Sequence, residues 1–381
     1  MYASLFSFEP LHITLLSLLG FMALIQLIYY FRFYRRAAYK KAEKESIAGT
    51  TPPLSVIICA RNESSNIESF LPSVLEQDYP SFEVLVVNDC SEDDTDMVLD
   101  RMQKRYPHLR VSTIQNDLHF SHSKKLPMLI GIKAAKNELL VFTDADCKPA
   151  SDKWLAGVAR GYNSGAEIVM GYGGYMPEKG LLNKYIRYET FFTGMQFLGM
   201  ALAGRPYMGV GRNLAYRKTF FFNNGAFGPY NHVQSGDDDL FVNRTATRKN
   251  TYTLIGSELS TLSIPAKNME AWLRQKRRHY TTAKYYRFAD KFRLFMEPFS
   301  RVSYYGLLIF FLITLISWPV VAGIGLLRLL TRSIIFKKGS NTFNEHGLFF
   351  FSLIFDILQP LVSAILYITN RRQNRGNRSW K

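Results

Sequence analysis

The hydrophobic pattern of the chain places membrane-length apolar segments at both ends of a more polar central region. Residues 11–31 are almost wholly apolar. A helix of this length reaches about 31 Å, which is enough to cross the core of a bilayer. Further apolar segments follow at 304–327 and 348–369. The pattern therefore predicts an N-terminal anchor and a C-terminal membrane region around a central domain.

Basic residues set the expected orientation of the anchor. None precedes it, and six follow it: Arg32, Arg35, Arg36, Lys40, Lys41 and Lys44. By the positive-inside rule, the chain from residue 32 onward is cytoplasmic. A cleaved signal peptide would need a basic start, a shorter apolar core and a small-residue cleavage site, all of which are missing here. We therefore expect an uncleaved anchor. The lack of a sorting signal and the short tail favour a bacterial inner membrane.

The number of C-terminal spans stays open between two and three. The segment 304–327 fits one kinked span, or a hairpin that turns near Trp318-Pro319 and returns through Ile335. The basic residues after it favour the hairpin: Arg328, Arg332, Lys337 and Lys338. The basic tail disagrees with an odd number of spans after residue 304: Arg371, Arg372, Arg375 and Arg378.

The central region alternates apolar strand-like runs with helical segments. Short runs without polar alternation, typical of buried parallel strands, occur at 54–59, 82–89, 110–114, 139–144 and 167–171. Helices are expected between them, for example at 126–135. Such alternation predicts a mostly parallel sheet with helices on both faces.

Two charged segments rich in aromatic residues are predicted to lie at the membrane surface. In 180–203 the residues expected to face lipid are Phe191, Phe192, Met195 and Leu198, and the alternative is a core helix. In 284–299 four phenylalanines share one face: Phe288, Phe292, Phe295 and Phe299.

Charge and cysteine content narrow the class of protein. The formal net charge is +16, and the basic residues cluster beside apolar runs, which favours an anionic membrane surface over nucleic acid. No nucleic-acid-binding motif occurs. Three cysteines without metal-ligand spacing indicate reduced thiols in a cytosolic domain.

Acidic residues follow the predicted strands. Asp89 ends one strand, and Asp144 and Asp146 follow another. Ligands of α/β sheets bind at the carboxyl ends of strands, and paired carboxylates suit Mg²⁺ or Mn²⁺. The alternative is an ordinary turn. A triple aspartate, 237–239, follows a Ser-Gly turn and also fits a helix N-terminus.

Six motifs together resemble a membrane-bound family 2 glycosyltransferase with a GT-A-type nucleotide-sugar fold. They are Ser55–Glu63, Val86–Ser91, Thr143–Asp146, Gly211–Arg217, Gly236–Leu240 and Gln275-x-x-Arg278. The resemblance implies four regions: an anchor and basic linker (1–50), a cytoplasmic glycosyltransferase domain (51–282), an interfacial helix (283–302), and C-terminal membrane helices with a basic tail (303–381).

The resemblance also implies a role for each matching residue. The uracil and ribose would be held by Ala60, Arg61, Glu63 and Asp89, with Lys124 near the nucleotide. Asp144 would approach the ribose and diphosphate, and Asp146 would bind the metal. Asp237 would be the catalytic base. The diphosphate and acceptor would be contacted by Asp239, Gln275, Arg278 and His279.

Three positions depart from the family pattern: Asn88 and Gly236 replace acidic residues, and His279 replaces a tryptophan that helps form the acceptor site of processive synthases. We therefore expect inverting transfer from a UDP-sugar to a lipid or glycan acceptor at the bilayer. A processive polysaccharide synthase and a non-catalytic nucleotide-binding subunit are the alternatives. A transporter would need ionisable groups within many spans, and only Asp356 and Arg328 qualify.

Overall fold

The computed structural model describes residues 10–41, 50–115, 123–233 and 235–373, without the side chains of 370–373. The predicted linker cation Lys44 and the predicted basic tail lie outside the described residues or side chains. The strands are β1 Leu54–Ala60, β2 Phe82–Asp89, β3 Leu109–Ile114, β4 Leu139–Asp144, β5 Cys147–Pro149, β6 Ile168–Gly171, β7 Gly173–Tyr175, β8 Leu214–Arg217, β9 Thr251–Leu254 and β10 Thr261–Ser263.

The helices begin with α1, which continues through a π-helical turn, Tyr30–Tyr34, into α2. Three of them, α1 with α2, α12 and α13, are long and apolar enough to cross a membrane. The helices are α1 Pro10–Tyr29, α2 Arg35–Ala38, α3 Ser64–Leu75, α4 Thr95–Arg105, α5 Lys125–Ala134, α6 Trp154–Asn163, α7 Leu181–Leu202, α8 Lys218–Asn223, α9 Asp239–Thr245, α10 Met269–Tyr280, α11 Phe288–Thr314, α12 Trp318–Thr342 and α13 Phe349–Gln373.

A seven-stranded sheet in the order β3-β2-β1-β4-β8-β6-β9 forms the centre of the fold. Its strands are parallel except for β8, which runs antiparallel to β4 and β6. All seven residues of β1 are buried, as the run without polar alternation predicts. The expected parallel α/β sheet is confirmed. A small sheet, β5-β10-β7, stands beside it and was not predicted.

The segment 180–203 corrects one prediction. It forms α7, whose aromatic residues are core residues: Phe191 and Leu198 are fully buried, and Phe192 and Met195 nearly so. The charged residues that interrupt the segment are buried in ion pairs, Arg187 with Glu345 at 2.8 Å and Glu189 with Lys276. Because those charges have partners inside the protein, α7 packs on all sides and does not lie on lipid.

The segment 284–299 keeps its exposed aromatic face, with Phe288 80% exposed. From Phe288 onward it is the first half of α11, which continues unbroken to Thr314, so the expected boundary at 302/303 falls within one helix. Leu315 and Ser317 adopt left-handed backbone conformations, and the chain reverses there into α12. The structure thus has the hairpin near Trp318-Pro319.

A buried ionic cluster joins the C-terminal helices. Asp356 of α13 forms ion pairs with Arg301 of α11 at 3.2 Å and with Arg328 and Arg332 of α12 at 3.0 and 3.8 Å. All four side chains are almost completely buried. Paired ions of this kind hold helices in one register, because any other arrangement leaves a charge without a partner.

Replacing Asp356 with asparagine should therefore destabilise the helix bundle by about 3–5 kcal/mol, since it leaves buried arginines without a counter-charge. The measurement is the thermal midpoint and the monodisperse fraction of detergent-solubilised protein. Ile354→Val, which alters an exposed side chain on the same helix, is the control. Equal midpoints for the two variants would show that the cluster does not hold the bundle.

Candidate active site

The carboxyl ends of β1, β2 and β4 form one edge of the sheet. The strand register sets Cys59 beside Asp144 and Ala60 beside Asn88. Asp89, the next residue of β2, is buried at the same edge. The strand-end acids predicted from the sequence therefore lie at the same edge of the sheet, on β2 and β4, with β1 between them.

Two loops meet at the predicted nucleotide-binding edge. After β1 the chain turns at Asn62, whose φ is 55°, and its side chain accepts a hydrogen bond from the Glu92 amide at 2.8 Å. The Glu63 amide donates to the Thr95 hydroxyl at 3.0 Å. Asn88, in place of the expected acid, is fully buried and donates to Asp96 at 2.6 Å. These bonds hold the backbone at Ala60, Arg61 and Glu63 against the loop after Asp89.

Lys124 lies where the resemblance expects a lysine near the nucleotide, directly before α5. Its ammonium group forms an ion pair with Asp144. Burial tends to raise the pKa of Asp144, but the charges of Lys124, Arg212 and Arg278 outweigh it and hold that pKa below its usual range. Asp144 is therefore an anion with cations on several sides.

Asp146 has a different environment. Burial and the charges of Asp144 and Glu63 raise its pKa, so an added cation would be stabilised there. Ligand atoms of Asp144, Asp146 and Cys147 lie within 4.8 Å of one another. Burial and the neighbouring carboxylates hold the pKa of the Cys147 thiol well above its usual value, and the thiol contacts Ser263 at 2.8 Å. The two carboxylates fit a hard divalent cation, and the protonated thiol does not add a ligand.

The three consecutive aspartates have three different surroundings. Asp237 is 8% exposed, and its charge tends to raise the pKa of Lys124, the ion-pair partner of Asp144. We refer to the space around Asp144, Lys124, Asp237 and Arg278 as the cleft. Within the described residues, no hydrogen bond or ion pair involves its side chain. Asp239 accepts hydrogen bonds from Thr282 and, at 2.6 Å, from Tyr286, which tie α9 to the chain before α11.

Asp238 uses both carboxylate oxygens on backbone amides. One oxygen accepts from Gly211 and the other from Asp239, both at 2.7 Å. Gly236 precedes the triplet with φ of 91°, and a Cβ there would lie 2.5 Å from Leu240. The turn therefore excludes the glutamate that the family pattern expects at this position.

Helix α10 carries the predicted diphosphate and acceptor residues along one side of the cleft. Gln275 donates to the Tyr175 hydroxyl at 3.0 Å. Arg278 is exposed, and its charge contributes to the low pKa of Asp144. Desolvation by the surrounding protein and the charges of Lys276 and Arg278 lower the pKa of His279, although its side chain is exposed.

Helix α10 also packs against a C-terminal membrane-length helix. It packs against α13, and the Tyr280 hydroxyl bonds Ser363. The Tyr185 ring of α7 touches both Trp272 of α10 and Phe355 of α13, with ring centroids 5.4 and 5.2 Å apart. Helix α10, which carries Gln275 and Arg278, therefore packs against a candidate membrane span.

Two residues of the site, Arg212 and Lys125, lack a predicted role. Arg212 lies over the Tyr175 ring at 4.6 Å and donates to the Gly173 carbonyl at 3.1 Å. Lys125 is buried and donates to the carbonyls of Tyr230, at 2.6 Å, and Val233, just before the aspartate triplet. Arg212 stands inside the Gly211–Arg217 motif and Lys125 beside Lys124, so their positions in the sequence were signals that could have identified them.

Comparisons with known proteins agree with this arrangement. Residues 55–221 match the family described as Glycosyl transferase family 2. The chain is 30% identical over 206 residues to Glycosyltransferase AglE of Haloferax volcanii, covering 52% of this chain and 62% of that protein. It is 30% identical over 123 residues to the poly-beta-1,6-N-acetyl-D-glucosamine synthase of Staphylococcus epidermidis, covering 31% and 28%. The matches thus span less than two thirds of these relatives.

One solved structure resembles nearly the whole chain. It is the mannosyltransferase PcManGT from Pyrobaculum calidifontis, in complex with GDP-Man and Mn²⁺. The TM-score is 0.53 at 18% identity, with 90% of this chain and 99% of that chain covered. At this identity the likeness concerns the fold.

Proposed function

Since this chain contains a family 2 glycosyltransferase domain, we propose that it transfers a sugar from a UDP-sugar to a membrane-associated acceptor, with inversion at the anomeric carbon. The acceptor is a lipid or a growing glycan. The catalytic domain, residues 51–282, works on the cytoplasmic face of a bacterial inner membrane. The basic residues after α1, such as Arg35 and Arg36, support that orientation.

One observation carries the proposal. Asp146 lies beside Asp144, the charges of Lys124 and Arg278 act on Asp144, and the charge of Asp237 acts on Lys124. The helix of Arg278 packs on α13. An acceptor anchored in the bilayer would reach such a cleft without leaving the membrane surface. The names of the two curated relatives, a glycosyltransferase and a polysaccharide synthase, fit a glycan or lipid-linked product.

The donor is held by groups on two sides of the cleft. Ala60, Arg61, Glu63 and Asp89 line the edge proposed for the uracil and ribose. A divalent cation bound at Asp144 and Asp146 would supply electrophilic stabilisation of the diphosphate. The protein adds the fixed cations Lys124 and Arg278, which stabilise negative charge as it develops on the leaving UDP.

Asp237 is the proposed base. Its carboxylate takes the proton from the acceptor hydroxyl as the acceptor oxygen bonds to the anomeric carbon. The bond from that carbon to the diphosphate breaks, and UDP leaves with the electron pair. Attack from the face opposite the leaving group inverts the configuration. One base is sufficient, in contrast to the paired carboxylates of glycoside hydrolases.

Calorimetric titration of UDP into detergent-solubilised full-length protein tests the donor assignment. We expect binding with Mn²⁺ present and at least tenfold weaker binding in EDTA, because the carboxylates of Asp144 and Asp146 repel a bare diphosphate. GDP serves as the comparison nucleotide. Tighter binding of GDP would assign a different donor, and no binding of either nucleotide would contradict the proposed function.

A further inference from the structure

The aspartate triplet divides into one residue that faces the cleft and two that are held by hydrogen bonds. Asp237 faces Lys124 and Asp144, whereas Asp239 is held by Thr282 and Tyr286. Asp238 lies between them and bonds only to backbone amides. Asp238 is partly exposed, and its carboxylate accepts from two amides directly beside the proposed base.

The bond from Asp238 to Gly211 spans 27 residues of sequence. Gly211 begins the 3₁₀ turn Gly211–Asn213, and that turn carries Arg212 beside Tyr175. The loop that carries the proposed base, Asp237, is therefore hydrogen-bonded to the turn that carries Arg212. The charge of Arg212 acts on Asp144 and Asp146. A shift of Asp238 would move Asp237 relative to Arg212.

We propose that Asp238 is a positioning residue, which holds the loop that carries Asp237 in place through its two amide hydrogen bonds. The inference rests on the proposed transfer reaction and adds a residue to it. Two donated amide bonds favour the ionised form of Asp238, so ionisation of Asp238 strengthens the bonds that hold the loop.

The charged surroundings of Asp238 place its ionisation near neutral pH. Burial and the charges of Asp237 and Asp239 raise its pKa to about 7, and the charge of Lys124 opposes this. The titratable groups that face it from packed elements are Lys124 and Lys125 before and in α5, Tyr216 in β8 and Tyr286 before α11. The three aspartates titrate as a coupled set.

The test is the pH profile of kcat for sugar transfer by the full-length protein. Wild type should show kcat rising through an inflection near pH 7, as Asp238 ionises. Asp238→Asn keeps one acceptor oxygen and loses the charge. It should remove the inflection and lower kcat by about 10- to 100-fold, the range produced by small misplacements of a catalytic group. KM should stay within about threefold, because the donor contacts are intact.

A second pair of variants probes the same bond from the other partner, should Asp238→Asn fold poorly. Gly211→Pro removes the amide that donates to Asp238. Proline suits the first position of a helical turn, and Val210 before it is already extended, with φ −119° and ψ 125°. Gly211→Ala keeps the amide, and its Cβ would meet Asp238 at an ordinary 3.4 Å. The inflection should move to higher pH in the proline variant only.

The outcomes separate this inference from the function on which it rests. A wild-type protein that transfers no sugar contradicts the proposed function and the inference together. An active wild type whose inflection persists in Asp238→Asn, or whose profile is the same for Gly211→Pro and Gly211→Ala, overturns the positioning role only. Loss of thermal stability with an unmoved inflection also overturns it, since that is the result of a purely structural role.

Discussion

Asp237→Asn should lower the rate of sugar transfer by roughly 10³-fold, within the range that general-base catalysis contributes, while UDP binding stays at the wild-type level. Asparagine has nearly the same shape as aspartate but cannot take the acceptor proton. Asp237 has no hydrogen bond or ion pair within the described residues. The substitution should therefore leave the stability of the fold nearly unchanged.

The measurement pairs single-turnover transfer rates with UDP calorimetry on the same preparation. Asp100→Asn, a change at an exposed position in the middle of α4, controls for handling and should match wild type in both assays. Full turnover by Asp237→Asn would show that another group is the base. A joint loss of turnover and UDP binding would show instead that Asp237 holds the nucleotide.

Asp146→Asn should abolish the Mn²⁺-dependent part of UDP binding, with a loss of about 10²-fold or more. Removing a partner of a metal ligand already weakens metal binding by about 10- to 100-fold, and here the proposed ligand itself is lost. The substitution also removes the repulsion between two partly exposed carboxylates, so the metal-free protein should be at least as stable as wild type.

Cys147→Ser is the matched control for this second prediction. Cys147 is the third member of the potential ligand group, but its buried, protonated thiol is not a ligand in our assignment. Its substitution should leave Mn²⁺-dependent UDP affinity within about twofold, as expected for a structural cysteine. Equal losses in Asp146→Asn and Cys147→Ser would assign the thiol to the metal site, and no loss in either would place the cation elsewhere.

The strand-end acids are the part of the site that sequence patterns predicted best. Leu139–Asp144 is an apolar run that ends in a carboxylate, and parallel strands bring such ends to one edge regardless of loop details. Asp89 and Asp144 therefore lie at the same edge of the sheet, on the two strands that flank β1. The anchor and the C-terminal apolar helices were predictable for a similar reason, because length and hydropathy are local properties.

Helix α7 shows where local patterns fail. An apolar-aromatic segment with a few charges fits an interfacial helix as well as a core helix. What distinguishes the two is whether Arg187 and Glu189 have partners. Those partners, Glu345 and Lys276, come from distant parts of the chain. No window around residue 190 contains that information.

The sequence by itself determined the parallel α/β sheet, the acidic edge of β2 and β4, and the presence of membrane-length helices, since each depends on periodicity or on composition within a few residues. Only the tertiary structure decided that Asp238 bonds Gly211 while Asp237 faces Lys124, and that α10 stands on α13. Three adjacent aspartates are chemically identical in a sequence. They differ in the folded protein because groups 27 or more residues away reach one of them and not the next.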